Sequence, residues 1–141
     1  MLADIAVIGA GYVGLTLAVG AAHVGHTVSV GERDQKRVAA LRNRVCPIFE
    51  EGLADLLSEG LVAGKLTFTT SNVEAVETAE LVFLTVPTPS ASNGSADLTV
   101  LNAVVDELAP HLGDKILVLK STVPVGTNRD VTARLRTAGC P

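Results

Sequence analysis

Short aliphatic runs alternate with longer stretches of mixed polarity along this chain. Residues 3–8 form an almost uninterrupted aliphatic run that ends in a glycine. A short apolar run bounded by a glycine predicts a buried strand. Residues 12–25 follow and are predicted to form a helix, and the same alternation then repeats to the end of the chain.

The elements predicted by this pattern are strands and helices in strict alternation for most of the chain. Strands are predicted over residues 3–8, 27–30, 65–70, 80–86 and 115–121. Helices are predicted over residues 12–25, 34–44, a short segment that ends near Gly60, 71–79, 98–108 and 127–137.

Two helix starts carry capping signals. Ser71 precedes Glu74 by three residues, which is the capping-box pattern. Asp97 lies just before the helix expected from residue 98, and an aspartate at that place caps a helix more often than it acts as a catalytic acid.

Alternating strands and helices favour right-handed crossovers and a parallel sheet that is covered by helices on both faces. The predicted fold class is therefore α/β, a doubly wound parallel sheet in a three-layer α/β/α arrangement. The chain ends just after a helix, where such a fold continues with a strand. We therefore expect one domain, residues 1–141, truncated before its next strand.

Composition supports this fold and excludes nucleic acid as a partner. Hydrophobic residues make up 48% of the chain and aromatic residues only 3%, so the core must be aliphatic. Aliphatic strands are typical of parallel sheets that are buried on both faces. The net charge is −4 and there is no basic run, which argues against nucleic-acid binding.

Targeting segments and metal sites are not expected either. The nearly uncharged residues 2–24 are interrupted by three glycines, and no Lys or Arg precedes them, so we predict neither a membrane span nor a secretory signal. Cys46 and Cys140 form no CxxC pair and the three histidines are scattered, so no metal site is expected. Two reduced cysteines suit a cytoplasmic protein.

The most informative local motif is "GAGYVG", which places Gly9, Gly11 and Gly14 in a G-x-G-x-x-G pattern. The motif alone is weak, but here a predicted strand runs into it and a predicted helix runs out of it. In a Rossmann-type fold Gly9 makes the tight turn, Gly11 lets a pyrophosphate approach the backbone, and Gly14 lets the helix pack against the strand. The amides at the helix N-terminus then face the phosphates.

An acid at the end of the second predicted strand completes this fingerprint. Glu32 lies roughly 20 residues after the glycine loop, where a carboxylate accepts hydrogen bonds from a ribose. It would repel a 2′-phosphate, so NAD is favoured over NADP as the cofactor. Arg33 and Arg37 leave this preference open, because a nearby arginine can accommodate a 2′-phosphate.

Four segments go beyond a generic dinucleotide fold: "GAGYVGL" at residues 9–15, "PIFEEGL" at 47–53, "ELVFLTVPTP" at 80–89 and "KSTVPVGT" at 120–127. With these, the chain resembles the N-terminal, NAD-binding domain of the UDP-glucose/GDP-mannose dehydrogenase family over essentially its whole length. The "KSTVPVG" segment is the most specific of the four, because generic Rossmann domains lack it.

The resemblance implies an enzyme that oxidises the primary alcohol of a UDP- or GDP-linked sugar to the uronate with two NAD. The oxidation proceeds through an aldehyde, and a cysteine of a later domain forms a thiohemiacetal and then a thioester. The whole enzyme is expected to be a homo-oligomer. Which nucleotide sugar it uses stays open.

At the adenosine end of the cofactor, the resemblance assigns the pyrophosphate to the glycine loop together with Tyr12 and Val13. It assigns the adenosine ribose to Glu32 and a further cofactor contact to Arg37. The family usually has an aspartate at the position of Glu32, so this residue departs from the pattern.

At the nicotinamide end, the resemblance places Pro87 and Thr88 on the loop that runs along the cofactor. Ser121 and Thr122 follow the fifth predicted strand and reach the nicotinamide. Thr122 is the one expected catalytic residue, because it would position the reacting water; the alternative is that it only caps the turn before Pro124.

Neither Cys46 nor Cys140 occupies the motif of the family's catalytic cysteine. We therefore expect a piece of a longer dehydrogenase that binds NAD, with the central and C-terminal nucleotide-sugar-binding domains absent. The segment "PIFEEGL" either faces the nucleotide sugar or is a loop packed by Ile48 and Phe49.

Two other classes of protein share the glycine loop and the acid after the second strand. One is a stand-alone nucleotide-sensing regulatory module, such as those of potassium transporters. The other is the N-terminal domain of a different β-hydroxyacid-type dehydrogenase. Neither is expected to carry "PIFEEGL", "VPTP" and "KSTVPVG" together.

Overall fold

The computed structural model describes residues 1–140, and within them an all-parallel sheet forms the centre of the molecule. Its strands are β1 (Asp4–Ile8), β2 (Thr27–Gly31), β3 (Leu66–Thr69), β4 (Leu81–Leu84) and β5 (Ile116–Leu119). They lie in the order β3-β2-β1-β4-β5. The chain therefore builds outward from β1 to one edge and then returns to the other side of β1, which confirms the doubly wound parallel sheet.

Helices cover both faces of this sheet. They are α1 (Tyr12–His23), α2 (Gln35–Arg42), α3 (Leu53–Val62), α4 (Asn72–Val76), α5 (Thr99–Leu112) and α6 (Thr127–Thr137). One buried cluster joins α1, α2 and α3 to alternate strand residues such as Val7 and Val28. A second cluster joins α4, α5 and α6 to the opposite face through Ala6 and Val82. These two clusters make the predicted three layers.

The end of α3 differs from the prediction, which placed it near Gly60. The helix continues to Val62, and Gly60 is buried inside it. A Cβ at Gly60 would lie 3.2 Å from Leu66 Cβ and 3.5 Å from Ala22 Cβ. This glycine therefore serves close packing of α3 against α1 and β3. Gly64, the residue after the C-cap Ala63, has a φ of +66°, the left-handed conformation that stops helices.

The end of α5 also lies beyond the predicted residue 108. The helix runs through Pro110 to Leu112, although a proline removes one backbone hydrogen bond. Ala109 and Leu112 are both buried in the core. Burial of this last turn outweighs the missing hydrogen bond.

Ser71 caps α4 as predicted, whereas Asp97 lies one residue before the N-cap of α5, which is Leu98 and has no side-chain cap. The Ser71 hydroxyl accepts a hydrogen bond from the amide of Glu74 at 3.2 Å. Asp97 Oδ1 accepts one from the amide of Thr99 at 2.9 Å. Hydrogen bonding to the side chain and then to the amide of Thr99 lowers the pKa of Asp97.

In the part of the chain that the structure describes, every helix is too short or too polar to cross a lipid bilayer. Across residues 1–140, no three His, Cys, Asp or Glu side chains come together in a group that could hold a metal ion.

Candidate cofactor-binding site

A cleft of about 600 Å³ opens at the carboxyl ends of the strands. It lies over β1 and β4, the neighbouring strands between which the chain reverses its direction of winding. Ligands of open α/β sheets bind at this switch point. The residues that line the cleft come from every part of the sheet edge: Ile8, Gly9, Gly11, Tyr12, Val13, Gly31, Glu32, Arg33, Asp34, Arg37, Asn72, Thr85, Val86, Pro87, Thr88, Val100, Val104, Lys120 and Thr122.

All of the predicted cofactor contacts line this cleft except Gly14 and Ser121. Gly14 lies behind the glycine loop, in the contact between α1 and the sheet. The Ser121 hydroxyl points back to the sheet and donates to the carbonyl of Val86 at 2.7 Å. The structure thus gives these two residues packing positions, and Ser121 as a direct cofactor contact stays a prediction.

Two glycines of the loop are required by the protein itself. Gly9 has a φ of +102°, and a Cβ there would lie 3.0 Å from the carbonyl oxygen of Thr85. A Cβ at Gly14 would lie 1.9 Å from the carbonyl oxygen of Gly9 and 2.4 Å from Thr85 Oγ1. The tight turn and the close approach of helix and strand therefore both depend on glycine.

Gly11 is different, because nothing in the protein requires a glycine there. Its φ is −73°, which any residue adopts, and a Cβ built on it meets no atom within 4 Å. The position lies at the N-cap of α1 and lines the cleft. A side chain at position 11 would therefore occupy open space in the cleft. This is the feature expected of a loop whose backbone receives a phosphate group.

The N-terminus of α1 supplies the matching electrostatics. The first amides of a helix have no partner inside the helix and carry partial positive charge. No acidic side chain occupies the first turn of α1. The amides of Tyr12 and Val13 therefore offer donors to an anion beside Gly11.

Glu32 is fixed at the end of β2 by backbone contacts on all sides. Its amide donates to the Thr69 carbonyl at 2.9 Å. Its carboxylate oxygens accept one hydrogen bond each, from the amides of Ala10 and Asp34, both at 3.0 Å. The Glu32 side chain is only 15% exposed. Each oxygen keeps a further lone pair, so the carboxylate can still accept from a pair of ribose hydroxyls.

Arg37 lies against this acid. Its Nη1 donates to the carbonyl of Ala10 at 3.2 Å and is 3.8 Å from Glu32 Oε2. The guanidinium thus already has two oxygen partners on the protein. Arg37 thereby connects α2 to the glycine loop. Its contact with the cofactor, which the family resemblance implies, stays a prediction.

Sequence reasoning missed a polar cluster at the same end of the cleft. Arg33 Nη2 forms an ion pair with Glu107 Oε2 at 2.6 Å. Asn72 Nδ2 donates to the same oxygen at 3.0 Å. Arg33 and Glu107 are 74 positions apart, so no local pattern could have joined them. Only the packing of α5 against α4, which itself lies against β2, brings them together.

Thr85 is a second residue that the sequence did not single out. Its hydroxyl lies 2.9 Å from the carbonyl oxygens of both Ile8 and Gly9 and donates to them. It thereby ties the end of β4 to the glycine turn. In the sequence Thr85 is one residue of the predicted strand within "ELVFLTVPTP", and nothing in that pattern indicates a contact with the glycine turn.

The other end of the cleft joins two loops. Thr88 Oγ1 donates to the carbonyl of Thr122 at 2.7 Å. Among the described residues, the hydroxyl of Thr122 itself has no hydrogen-bond partner, and its side chain is exposed. The turn before α6 is held instead by Thr127, whose hydroxyl donates to the carbonyl of Pro124 at 2.8 Å. Thr122 is therefore free to meet a ligand.

The loop of residues 47–52 approaches the glycine loop through one side chain. The Tyr12 hydroxyl donates to Glu50 Oε2, and this hydrogen bond, together with the carboxylate's charge, raises the pKa of Tyr12. Ile48 packs against the core, whereas Phe49 is fully exposed. The loop is thus anchored by one apolar residue and presents the other to solvent.

Comparison with known proteins gives a consistent picture. A model described as "UDP-glucose/GDP-mannose dehydrogenase family, NAD binding domain" matches residues 3–139. The chain is 47% identical to a UDP-glucose 6-dehydrogenase of Pseudomonas aeruginosa over 133 residues, which are 94% of this chain and 29% of that protein.

Solved structures agree with this match. A UDP-glucose dehydrogenase from Pyrobaculum islandicum superposes with a TM-score of 0.90 at 36% identity, over 97% of this chain and 33% of that one. A GDP-mannose dehydrogenase from Pseudomonas aeruginosa, solved as a ternary complex, gives 0.88 at 32% identity, over 93% and 31%. The chain thus spans about a third of the length of these relatives.

Proposed function

This chain belongs to the UDP-glucose/GDP-mannose dehydrogenase family as its NAD-binding domain, and we propose that it serves a nucleotide-sugar 6-dehydrogenase. The whole enzyme oxidises the primary alcohol of a UDP- or GDP-linked sugar to the uronate. The reaction would require two NAD as hydride acceptors and one water for the second carboxylate oxygen. The thiol that forms the covalent intermediates comes from outside residues 1–141.

The observation that carries this proposal is the empty space at Gly11. Gly11 has ordinary backbone angles, and a Cβ built on it meets no atom within 4 Å, so no steric or backbone constraint in the fold requires a glycine there. Unlike Gly20, which is equally unconstrained, Gly11 lines the cleft. It directly precedes the first amides of α1 and directly follows Ala10, whose amide donates to Glu32. The residues present therefore fit NAD.

The roles of the chain's own residues follow from this arrangement. The first amides of α1 donate to the pyrophosphate, and Glu32 accepts from the adenosine ribose. Pro87 and Thr88 form the wall that runs toward Thr122, and the hydroxyl contact of Thr88 fixes the backbone there. When bound, the nicotinamide supplies the hydride acceptor. The Thr122 hydroxyl, which both donates and accepts, orients the water that completes the carboxylate.

Glu32 is expected to make the site prefer NAD to NADP. Calorimetric titration should show tighter NAD binding, because a 2′-phosphate would meet the carboxylate and both nearby arginines already have carboxylate partners. Glu32→Ala should weaken NAD by about ten- to thirtyfold, the value of one charge-assisted hydrogen bond, and narrow the gap between the NAD and NADP affinities. Glu51→Ala removes the same charge outside the cleft and should change neither affinity. Equal NADP binding by the unaltered chain would contradict this role of Glu32.

Thr122 is expected to act on turnover and not on folding. In the whole enzyme, Thr122→Ala should lower kcat by about ten- to a hundredfold, the scale of a lost positioning contact, while Thr122→Ser restores it. Thr127→Ala is the matched control, because this buried threonine holds the adjacent turn and should lower the melting temperature instead. A Thr122→Ala enzyme with unchanged kcat would remove Thr122 from the reaction.

A further inference from the structure

Arg33 is the residue in this cleft with the chemistry to defeat the NAD preference. It directly follows Glu32, and an arginine near that acid is what receives the 2′-phosphate in NADP-binding relatives of this fold. Arg33 is among the residues that line the cleft, and its side chain is 60% exposed. Left alone, such a side chain would be available to a phosphate.

In the structure the Arg33 guanidinium already has a carboxylate partner. Arg33 Nη2 lies 2.6 Å from Glu107 Oε2, a carboxylate on α5. Arg33 itself lines the cleft, whereas Glu107 is not among the lining residues, so the contact draws the guanidinium toward α5. A charge-assisted hydrogen bond of this kind fixes the direction of a guanidinium.

Glu107 is itself held in place. Asn72, which is only 3% exposed, donates from Nδ2 to the same carboxylate oxygen at 3.0 Å. Asn72 in turn is wedged under Gly31, where a Cβ would lie 2.7 Å from Asn72 Oδ1. The carboxylate is thus presented to Arg33 by a buried amide that the sheet edge positions, and not by a mobile surface side chain.

We propose that Glu107 is a specificity-determining positioning residue, which holds the Arg33 guanidinium against α5 and so denies it to a 2′-phosphate. This inference rests on the proposed binding of NAD with its adenosine ribose at Glu32. Discrimination then has two parts: Glu32 repels the 2′-phosphate, and Glu107 occupies the cation that would otherwise compensate for it.

Calorimetric titration of this chain with NAD and with NADP tests the proposal. Glu107→Gln keeps the size of the side chain and an acceptor for Asn72 but loses the charge. Arg33 loses its ion pair and is held only by a weaker neutral acceptor, so the ratio of the NADP to the NAD dissociation constant should fall by about three- to tenfold. Glu107→Asp keeps the charge but withdraws the carboxylate from Arg33, so it should lower the same ratio as well.

Asp106→Asn is the matched control. It removes the same charge from the adjacent position of α5 and breaks an ion pair with Arg134 at 2.8 Å, a contact that lies outside the cleft. In this variant the ratio of the NADP to the NAD dissociation constant should stay within twofold of its value in the unaltered chain. In the double variant Arg33→Ala, Glu107→Gln, the gain in NADP affinity should disappear.

The proposal is overturned if Glu107→Gln shifts the ratio no more than Asp106→Asn does. It is equally overturned if the gain survives without Arg33, or if Glu107→Asp leaves the ratio unchanged. Should the unaltered chain bind NAD and respond to Glu32→Ala, these results would remove only the role of Glu107. Binding of neither cofactor by the unaltered chain would remove the proposed function with it.

Discussion

Gly14→Ala is expected to lower the free energy of unfolding by about 3 kcal/mol or more, which corresponds to a fall of roughly 10 °C in melting temperature. The added Cβ would lie 1.9 Å from the carbonyl oxygen of Gly9 and 2.4 Å from Thr85 Oγ1. Neither atom can step aside cheaply. The first is backbone in a left-handed turn, and the second is held by hydrogen bonds to the ends of β1 and the turn. Helix α1 must therefore move away from the sheet.

Gly20→Ala in the same helix is the control. A Cβ at Gly20 meets no atom within 4 Å, so alanine should raise the stability by about 0.5–1 kcal/mol through its higher helix propensity. Thermal and denaturant unfolding of both variants measures the contrast. Similar stabilities for the two would mean that the contact of α1 with Gly9 and Thr85 is not tight.

Gly11→Val is expected to do the reverse, leaving the fold intact and abolishing cofactor binding. Valine suits the extended backbone of Gly11, and its side chain enters open space, so stability should change by no more than about 1 kcal/mol. The same side chain would fill the proposed place of the pyrophosphate beside the first amides of α1. NAD affinity should fall by more than about a hundredfold, because both the steric space and the contact with those amides are lost.

Gly11→Ala is expected to lower NAD affinity in the same way but by less. Its single methyl group takes up less of the space and should weaken NAD by about tenfold, with the melting temperature again nearly unchanged. Calorimetry with NAD, paired with thermal unfolding of each variant, gives both readings. If Gly11→Val bound NAD as tightly as the unaltered chain, the pyrophosphate would lie elsewhere and the proposed site would be wrong.

The chain order of the elements and the parallel sheet could be predicted because their signals are local. Each strand is a short aliphatic run, and each connection is long enough for a helix. Alternation of the two then leaves a right-handed, doubly wound sheet as the natural arrangement. The glycine loop is local as well, since the spacing of Gly9 and Gly14 states directly where a turn and a close helix contact must lie.

Element ends were less predictable, because tertiary contacts decide them. The sequence offered Gly60 as a helix stop, yet that glycine makes room for Leu66 and Ala22, and the stop is Gly64. In α5 the buried side chain of Leu112 carries the helix past Pro110. The sequence alone does not distinguish a glycine or proline that ends a helix from one that is packed inside a helix.

By itself, then, the sequence determined the fold class, the glycine loop and the acid that follows β2. It placed Glu32 and Thr122 at the same edge because parallel strands bring their carboxyl ends together. Only the tertiary structure decided which side chains complete that edge. Thr85 reached the glycine turn, Ser121 turned back toward β4, and Glu107 met Arg33 from 74 positions away. Such contacts depend on the order of strands in the sheet and on which face of a helix packs inward. Neither can be predicted from a single segment of the chain.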